Sequence, residues 1–271
     1  MKTIKLLLIA FSIILFYICK ETTSKPSPES LLKINKPNDS SIIGIWKHMS
    51  PHGPVKINFK ENGVVETDLG DNNSVDVISN YVVQADTIKF IDKDGKSCPN
   101  HGIYKIYHRG YTVAFDVLDD LCNGRIKSTS GFWVRPNHME QISQLNTIIE
   151  KTNDIEYVLH RGRMYLALSK TKLAKKDFDT YLKKDSLNAK VFIHRAATRF
   201  PNGLKGIVYD CNRAIALDST DKNAYFLRGL AYYGLNEKQK GCDDFQKSID
   251  LGFEILKQAE YDKCKEYWQN E

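Results

Sequence analysis

The chain has 271 residues, of which 42% are hydrophobic, 27% charged and 11% aromatic, with a formal net charge of +6. That length suits two domains of ~100–150 residues, and the composition excludes both a disordered chain and a multi-spanning membrane protein. Lys2 and Lys5 lie in the N-terminal segment, leaving +4 for the rest, where Lys and Arg alternate with Asp and Glu; no nucleic-acid footprint results.

The basic stretch Met1 to Lys5 precedes an apolar run from Leu6 to Ile18. As a helix the run spans about 20 Å, short of a ~30 Å bilayer core, which predicts a signal peptide or lipoprotein leader over 1–19. Residues 20–39, rich in Ser, Thr, Pro and Lys, read as a flexible tether. Cys19 stands where bacterial lipoprotein precursors carry their acylated cysteine, and the segment resembles such a leader; the resemblance implies membrane anchoring through Cys19. Phe16, Tyr17 and Ile18 stand where that family has Leu, small residues and a final Gly or Ala. Cleavage near Thr22 or Ser24, or a short uncleaved anchor, are the alternatives. Each predicts an extracytoplasmic protein, secreted or held at a bacterial cell envelope.

Residues 40–136 are built of short strand-like runs between turn signals. Val55, Ile57 and Phe59 alternate with Lys56, Asn58 and Lys60, the period of a half-buried strand. Asn62-Gly63 predicts a hairpin turn before Val64 to Leu69. Gly70 to Ser74 is the next turn. Tyr81 to Val83 and Thr87 to Ile91 flank Asp86, and Asp94-Gly95 is a further turn. Gly102 to His108 meets Tyr111 to Leu118 across Arg109-Gly110, and Gly131 to Arg135 is last. About eight sequential strands without helical period predict an antiparallel meander, closed to remove its edges.

Gly44-Ile45-Trp46 is similar to the G-x-W of lipocalins. Cys98, Gly102-Ile103-Tyr104, the run Asp120 to Arg125 and Gly131-Phe132-Trp133 also resemble short bacterial lipocalin-like domains. The resemblance implies a small β-barrel in which Trp46 closes one end beneath an Arg, with Arg125 and Arg135 both candidates. It also implies a small apolar ligand, although strands this short predict a barrel filled by its own side chains. In an oxidising compartment, Cys98 and Cys122 are the candidate disulfide of this domain. Cys242 and Cys264 are placed to tie the last helices together, and Cys211 reads as a buried helix residue.

After Pro136 the pattern turns helical over 138–271 and repeats itself. Tyr157 to Gly162, Phe192 to Ala196 and Tyr225 to Gly229 echo one another, with Gly162, Ala196 and Gly229 spaced 34 and 33 residues apart. Phe178, Cys211 and Phe245 repeat with spacings of 33 and 34, which confines one deletion to the segment from Ala196 to Ile207. This arrangement resembles the tetratricopeptide repeat (TPR), in units of about 155–188, 189–221 and 222–255. The middle unit departs most, with Arg199 at an aromatic position and Pro201-Asn202-Gly203 in its turn. Ile142, Leu145, Ile148 and Ile149 predict a capping helix before the array. Phe253, Ile255, Leu256, Tyr261 and Trp268 predict a closing helix after it.

The fold class is therefore two domains, a small antiparallel β-barrel followed by an α-helical solenoid. The TPR resemblance implies a noncatalytic scaffold whose groove, lined by His160, Arg163, Lys190, His194, Phe226, Leu230 and Tyr233, takes a protein or peptide with acidic and apolar groups. The Lys and Asn pattern of carboxylate-binding arrays is not reproduced, which argues against chaperone-tail recognition. The other reading is a carrier of a small apolar ligand in the β-domain. No G-x-S-x-G, Walker A, G-x-G-x-x-G or H-E-x-x-H motif occurs, and no cofactor or metal is expected. His48 and His52 flank Ser50-Pro51 without helical spacing. Asp92 to Gly95 lacks the Glu that completes a calcium loop.

Overall fold

The structure is a computed structural model that describes residues 42–50, 52–92, 98, 100–109, 111–129, 131–253, 264 and 267–268. The leader, the tether and Cys19 lie outside the described residues, as does the Asp94-Gly95 turn. The chain divides into two compact units, one ending at Ser169 and the other beginning at Lys170.

In the first unit, eight strands form a closed antiparallel barrel in sequence order. They are β1 (Gly44–Ser50), β2 (Gly53–Phe59), β3 (Val64–Leu69), β4 (Val77–Gln84), β5 (Thr87–Asp92), β6 (Gly102–Arg109), β7 (Thr112–Asp119) and β8 (Gly131–Val134). Alternation dictates the inner face. Trp46, His48 and Ser50 point inward from β1, and Val55, Ile57 and Phe59 from β2. Gly63 turns β2 into β3 at φ +75°, a conformation glycine adopts without a Cβ penalty. The expected strands are present, with β4 beginning earlier than Tyr81. The sequence reading gave this region no helix. The structure adds α1 (Asn123–Thr129) between β7 and β8, only seven residues and too short for a period to show.

Aromatic rings fill the middle of the barrel. Phe59 lies 6.1 Å from Phe90 and 6.0 Å from Phe115, and Phe90 meets Tyr104 edge-on at 5.4 Å. Phe115 in turn meets Trp133 at 6.4 Å. Burying rings of this size supplies most of the apolar burial that a short-stranded barrel can offer.

At one end a guanidinium is stacked on an indole. The Arg135 guanidinium lies 3.8 Å from the centroid of Trp46 and donates from Nη1 to the carbonyl of Ile43 at 2.7 Å. Trp46 Nε1 donates to the carbonyl of Ile42 at 2.8 Å. Gly44 sits at φ +99°, where a Cβ would come within 3.0 Å of Arg135 Nη1. The glycine of the G-x-W motif thus admits the arginine. Of the two candidate partners for Trp46, Arg135 takes the position; Arg125 lies in α1.

Two helices complete this unit, α2 (His138–Thr152) and α3 (Ile155–Ala167). α2 buries Ile142, Leu145 and Ile148, as its amphipathic period predicts. Asp154 caps α3, accepting from Glu156 N at 2.9 Å. α3 packs against β8 and β7, so the division between compact units falls later than the change from strands to helices at Pro136. The second unit holds α4 (Thr171–Lys184), α5 (Ala189–Ala197), α6 (Leu204–Leu217), α7 (Lys222–Gly234) and α8 (Lys238–Asp250). Successive helices from α4 to α8 pack on one another. Where α7 crosses α8, a Cβ on Gly229 would meet Phe245 at 2.8 Å, and one on Gly241 would meet the Gly229 carbonyl at 3.0 Å. Small residues are required there because the helices approach too closely for anything larger.

Replacing Gly44 with Ala is expected to cost about 1–3 kcal/mol, read as a lower denaturation midpoint, because the new Cβ strains the backbone and crowds Arg135. A second outcome concerns His48. Burial depresses its pKa from the ordinary 6.5 to about 4, against a smaller opposing contribution from the Phe132 backbone. Between those two values the unfolded chain binds a proton that the folded chain does not, so stability falls as pH drops through the window and levels off below it. Denaturant titrations at pH 7 and pH 4 should show the wild type losing roughly 3 kcal/mol more than His48→Leu.

Candidate functional site

Consecutive helices of the second unit are joined by a recurring arginine clamp. Arg195 on α5 holds Asp210 on α6 through Nη2 at 2.5 Å, and reaches back through Nη1 to Asp179 on α4 at 2.9 Å. Arg228 on α7 repeats the arrangement. It grips Asp244 on α8 through Nε and Nη2 at 2.8 and 2.7 Å, and reaches back to Asn212 on α6 at 2.7 Å. In the first unit, Arg161 on α3 reaches back to Asn146 on α2 at 2.7 Å, in the same relation. The backward partner lies 15 or 16 residues before the arginine in each case, and the forward one 15 or 16 after it.

The clamp also accounts for the irregular middle repeat. Arg199, which replaces an aromatic residue, donates from Nε to Asp210 Oδ2 at 2.9 Å, so the fully buried Asp210 meets two guanidinium groups. Cβ atoms on Gly203 or Gly206 would fall within 2.9 Å of the Arg199 side chain. The glycines after α5 therefore make room for the ion pair that substitutes for the missing ring. Burial raises the Asp179 carboxyl, but hydrogen bonds from Lys175 and Arg195 outweigh it and hold the group below the ordinary range. For Asp244 burial wins over Arg228, and its pKa is raised.

Several proposed groove positions are occupied by this packing. His194 is fully buried and lies against Phe178, with ring centroids 5.5 Å apart. Phe226 is buried between Phe245 and Phe253, and Leu230 is buried beside them in sequence on α7. Lys190 pairs with Asp221, whose carboxylate also caps α7 by accepting from Asn223 N. Tyr233 remains half-exposed, its ring 6.4 Å from Phe245. In the first unit, His160 packs between Tyr111 and Tyr157, and Arg163 is buried. Of the groove positions carried over from the repeat register, Arg163, His194, Phe226 and Leu230 are thus buried in this chain.

A solvent-open cleft of about 350 Å³ lies elsewhere in the second unit, across α4, α5 and α6. Phe192 and Leu182 form its floor, and Tyr209, 59% exposed, stands at its edge. Lys183 and Arg213 flank it, both exposed and without an ion pair among the described residues. The Arg213 guanidinium lies 5.8 Å from the Phe192 ring centroid and that of Arg195 lies 5.4 Å from it. An electropositive surface with an aromatic floor suits acidic side chains interspersed with apolar ones. None of these residues is among the groove positions carried over from the repeat register. Tyr209 and Arg213, four apart, share one face of α6, and that spacing was the available signal.

Both candidate disulfides are present, Cys98–Cys122 and Cys242–Cys264. Cys211 is a free thiol, fully buried, and burial raises its pKa well above the ordinary value, which makes it unreactive at neutral pH. Phe253 closes on Phe226, and Trp268 Nε1 donates to the Cys242 carbonyl at 3.3 Å; Ile255, Leu256 and Tyr261 lie outside the described residues. Among the described residues no three metal-ligating side chains converge.

No family model matches the chain, and no curated protein matches it. Solved structures match part of it. "MamA 41-end from Desulfovibrio magneticus RS-1" is 22% identical over 50% of this chain and 84% of that one, with a TM-score of 0.43. "Crystal structure of MamA" is 20% identical over 43% and 72%, with a TM-score of 0.41. "First TPR of Spaghetti (RPAP3) bound to HSP90 peptide SRMEEVD" is 21% identical over 44% and 94%, with a TM-score of 0.38.

Removing the carboxylate that two arginines share should be the most damaging change in the helical unit. Asp210→Ala is expected to cost about 3 kcal/mol, because it leaves the half-buried Arg199 without its carboxylate and Arg195 with Asp179 alone. Asp244→Ala removes a less buried carboxylate that serves one arginine rather than two, and should cost less. Chemical denaturation of the two variants, compared with the wild type, gives the ranking.

Proposed function

We propose that the protein is a noncatalytic interaction scaffold of the bacterial cell envelope, in which a TPR-type helical unit docks a protein or peptide partner. The observation that carries this reading is the open cleft of Lys183, Arg213, Phe192 and Tyr209 on a stack of clamped helices. The clamps fix the spacing between helices, so the cleft is formed before a partner arrives and little ordering cost is charged to binding. Its chemistry favours an extended segment with acidic and aromatic or aliphatic residues. Lys190 and Tyr233, groove positions that keep some exposure as His160 does, are assigned to the stack rather than to the partner.

Export is part of the reading. Two disulfides within one chain fit an oxidising compartment better than a reducing one. The leader pattern of residues 1–19 agrees, with Cys19 as the proposed anchor. The barrel is proposed as a lipocalin-like companion domain, supported by the placement of Arg135 on Trp46 behind Gly44.

A library of short extended peptides presented to the whole chain tests the docking surface. Peptides combining Asp or Glu with aromatic residues should be enriched, and their affinity should fall at least tenfold in the double variant Lys183→Glu/Arg213→Glu. Both side chains are exposed, so the variant should keep the wild-type melting transition. No enrichment of acidic sequences, or equal binding by a folded double variant, would sink the proposal.

A further inference from the structure

Along the chain Lys and Arg alternate with Asp and Glu, but in the second compact unit the fold sorts them by side. Of the aspartates in helices α4 and α6, Asp177 and Asp210 are buried, and Asp179 is held by Lys175 and Arg195. The cations lie on the outside. Lys172, Lys176 and Lys183 on α4, with Lys205 and Arg213 on α6, are exposed and make no ion pair among the described residues.

Spacing sets them in two rows. Residues 172, 176 and 183 follow one face of α4, and residues 205, 209 and 213 follow one face of α6. The rows come together at Lys183 and Arg213, which line one cleft. Leu173 and Tyr209 stand exposed among the cations. Helix α8 shows the ordinary arrangement instead: its exposed Lys238, Lys240 and Lys247 are interleaved with Asp243 and Asp250, and Lys240 pairs with Glu237.

A cationic face with no exposed carboxylate on either helix calls for a polyanion, and three features narrow its kind. All but Arg213 are lysines, point charges on flexible stems that follow laterally mobile headgroups, whereas the arginine fork suits a fixed phosphate geometry. Exposed Leu173 and Tyr209 fit the boundary between headgroups and acyl chains, which accommodates an apolar body and a polar tip together. Two disulfides fit an oxidising compartment, where a lipid leaflet is a more accessible polyanion than nucleic acid. That last choice rests on the envelope location proposed above.

We propose that the outer faces of α4 and α6 form a basic surface that docks on an anionic lipid bilayer, with Lys172, Lys176 and Lys205 over the headgroups. Binding of this kind strengthens about fivefold for each ammonium brought to the surface and weakens as salt screens it. It is a second membrane contact besides the anchor proposed at Cys19, and a lipid chain paired with a basic patch holds more firmly than either alone. Lys183 and Arg213 also flank the peptide cleft and stay unchanged in the variants below, so each proposal can fail without the other.

The whole chain is sedimented with vesicles of phosphatidylcholine alone and with vesicles holding an equal share of phosphatidylglycerol. The wild type should bind the anionic vesicles at least tenfold more tightly. That preference should vanish in about 1 M salt, where the screening length is ~3 Å. Lys172→Glu/Lys176→Glu/Lys205→Glu should lose at least twentyfold in affinity for the anionic vesicles and keep its affinity for the neutral ones. The leader, with Lys2 and Lys5, is the same in every chain, so a difference between chains belongs to α4 and α6. Lys172 and Lys205 stand in the first turns of their helices, where glutamate is favoured, so the variant should keep the wild-type melting transition. Should it not, the triple glutamine variant, expected to lose at least fivefold, decides the matter. Equal binding of the wild type to both vesicles would overturn the proposal, as would wild-type affinity in a folded triple variant. Tighter binding to a DNA duplex than to the anionic vesicles would do the same. Failure on vesicles alone leaves the envelope reading standing, whereas a preference for DNA counts against both.

Discussion

A guanidinium taken out of water has to be met by carboxylates or carbonyls, and this chain meets that demand in both of its compact units. In the helical unit, Arg195 and Arg228 each bridge a forward aspartate and a backward polar partner. In the barrel, Arg125 grips Asp120 beside Gly102, and Arg135 caps Trp46. Desolvation makes such pairs poor sources of net stability, but it makes mispairing very costly. Their effect is to fix which helix lies beside which, and at which end of the barrel guanidinium and indole stack. The glycines follow from the arginines, since Gly44 borders Arg135, Gly102 borders Arg125, and Gly203 and Gly206 border Arg199.

Much of the architecture was legible because it is periodic. Alternation in β2 and the turn at Asn62-Gly63 identified strands, and the spacing of Gly162, Ala196 and Gly229 identified repeats. Helix α1 was not legible, since seven residues carry less than two turns of period. The choice between Arg125 and Arg135 was also beyond the sequence, because it depends on where β8 ends in space. The groove positions show what repeat register leaves out. Repeat register says which face of a helix a residue occupies, but not whether a neighbouring ring will cover it, as Phe178 covers His194 and Phe253 covers Phe226. The middle repeat shows the converse: Arg199 looked like a defect in the motif and is instead half of an ionic substitute for the lost aromatic contact.

The cysteines divide by role. Cys98–Cys122 joins the start of α1 to the segment before β6, and Cys242–Cys264 joins α8 to the chain beyond Phe253. Each closes a short loop within its unit. Cys211, equally buried, is the free thiol.

Arg135 donates to the carbonyl of Ile43 across 92 residues of chain. That bond sets a kinetic order on folding. Helices of the second unit are built on contacts between near neighbours in sequence and can form quickly, whereas the barrel cannot seal until its first and last strands have found each other. During synthesis the barrel's opening strands must wait for Arg135 to emerge, with their inner faces still unburied. For a chain read as exported, that interval is when a holding factor would be needed, and the stacking of Arg135 on Trp46 is the event that would release it.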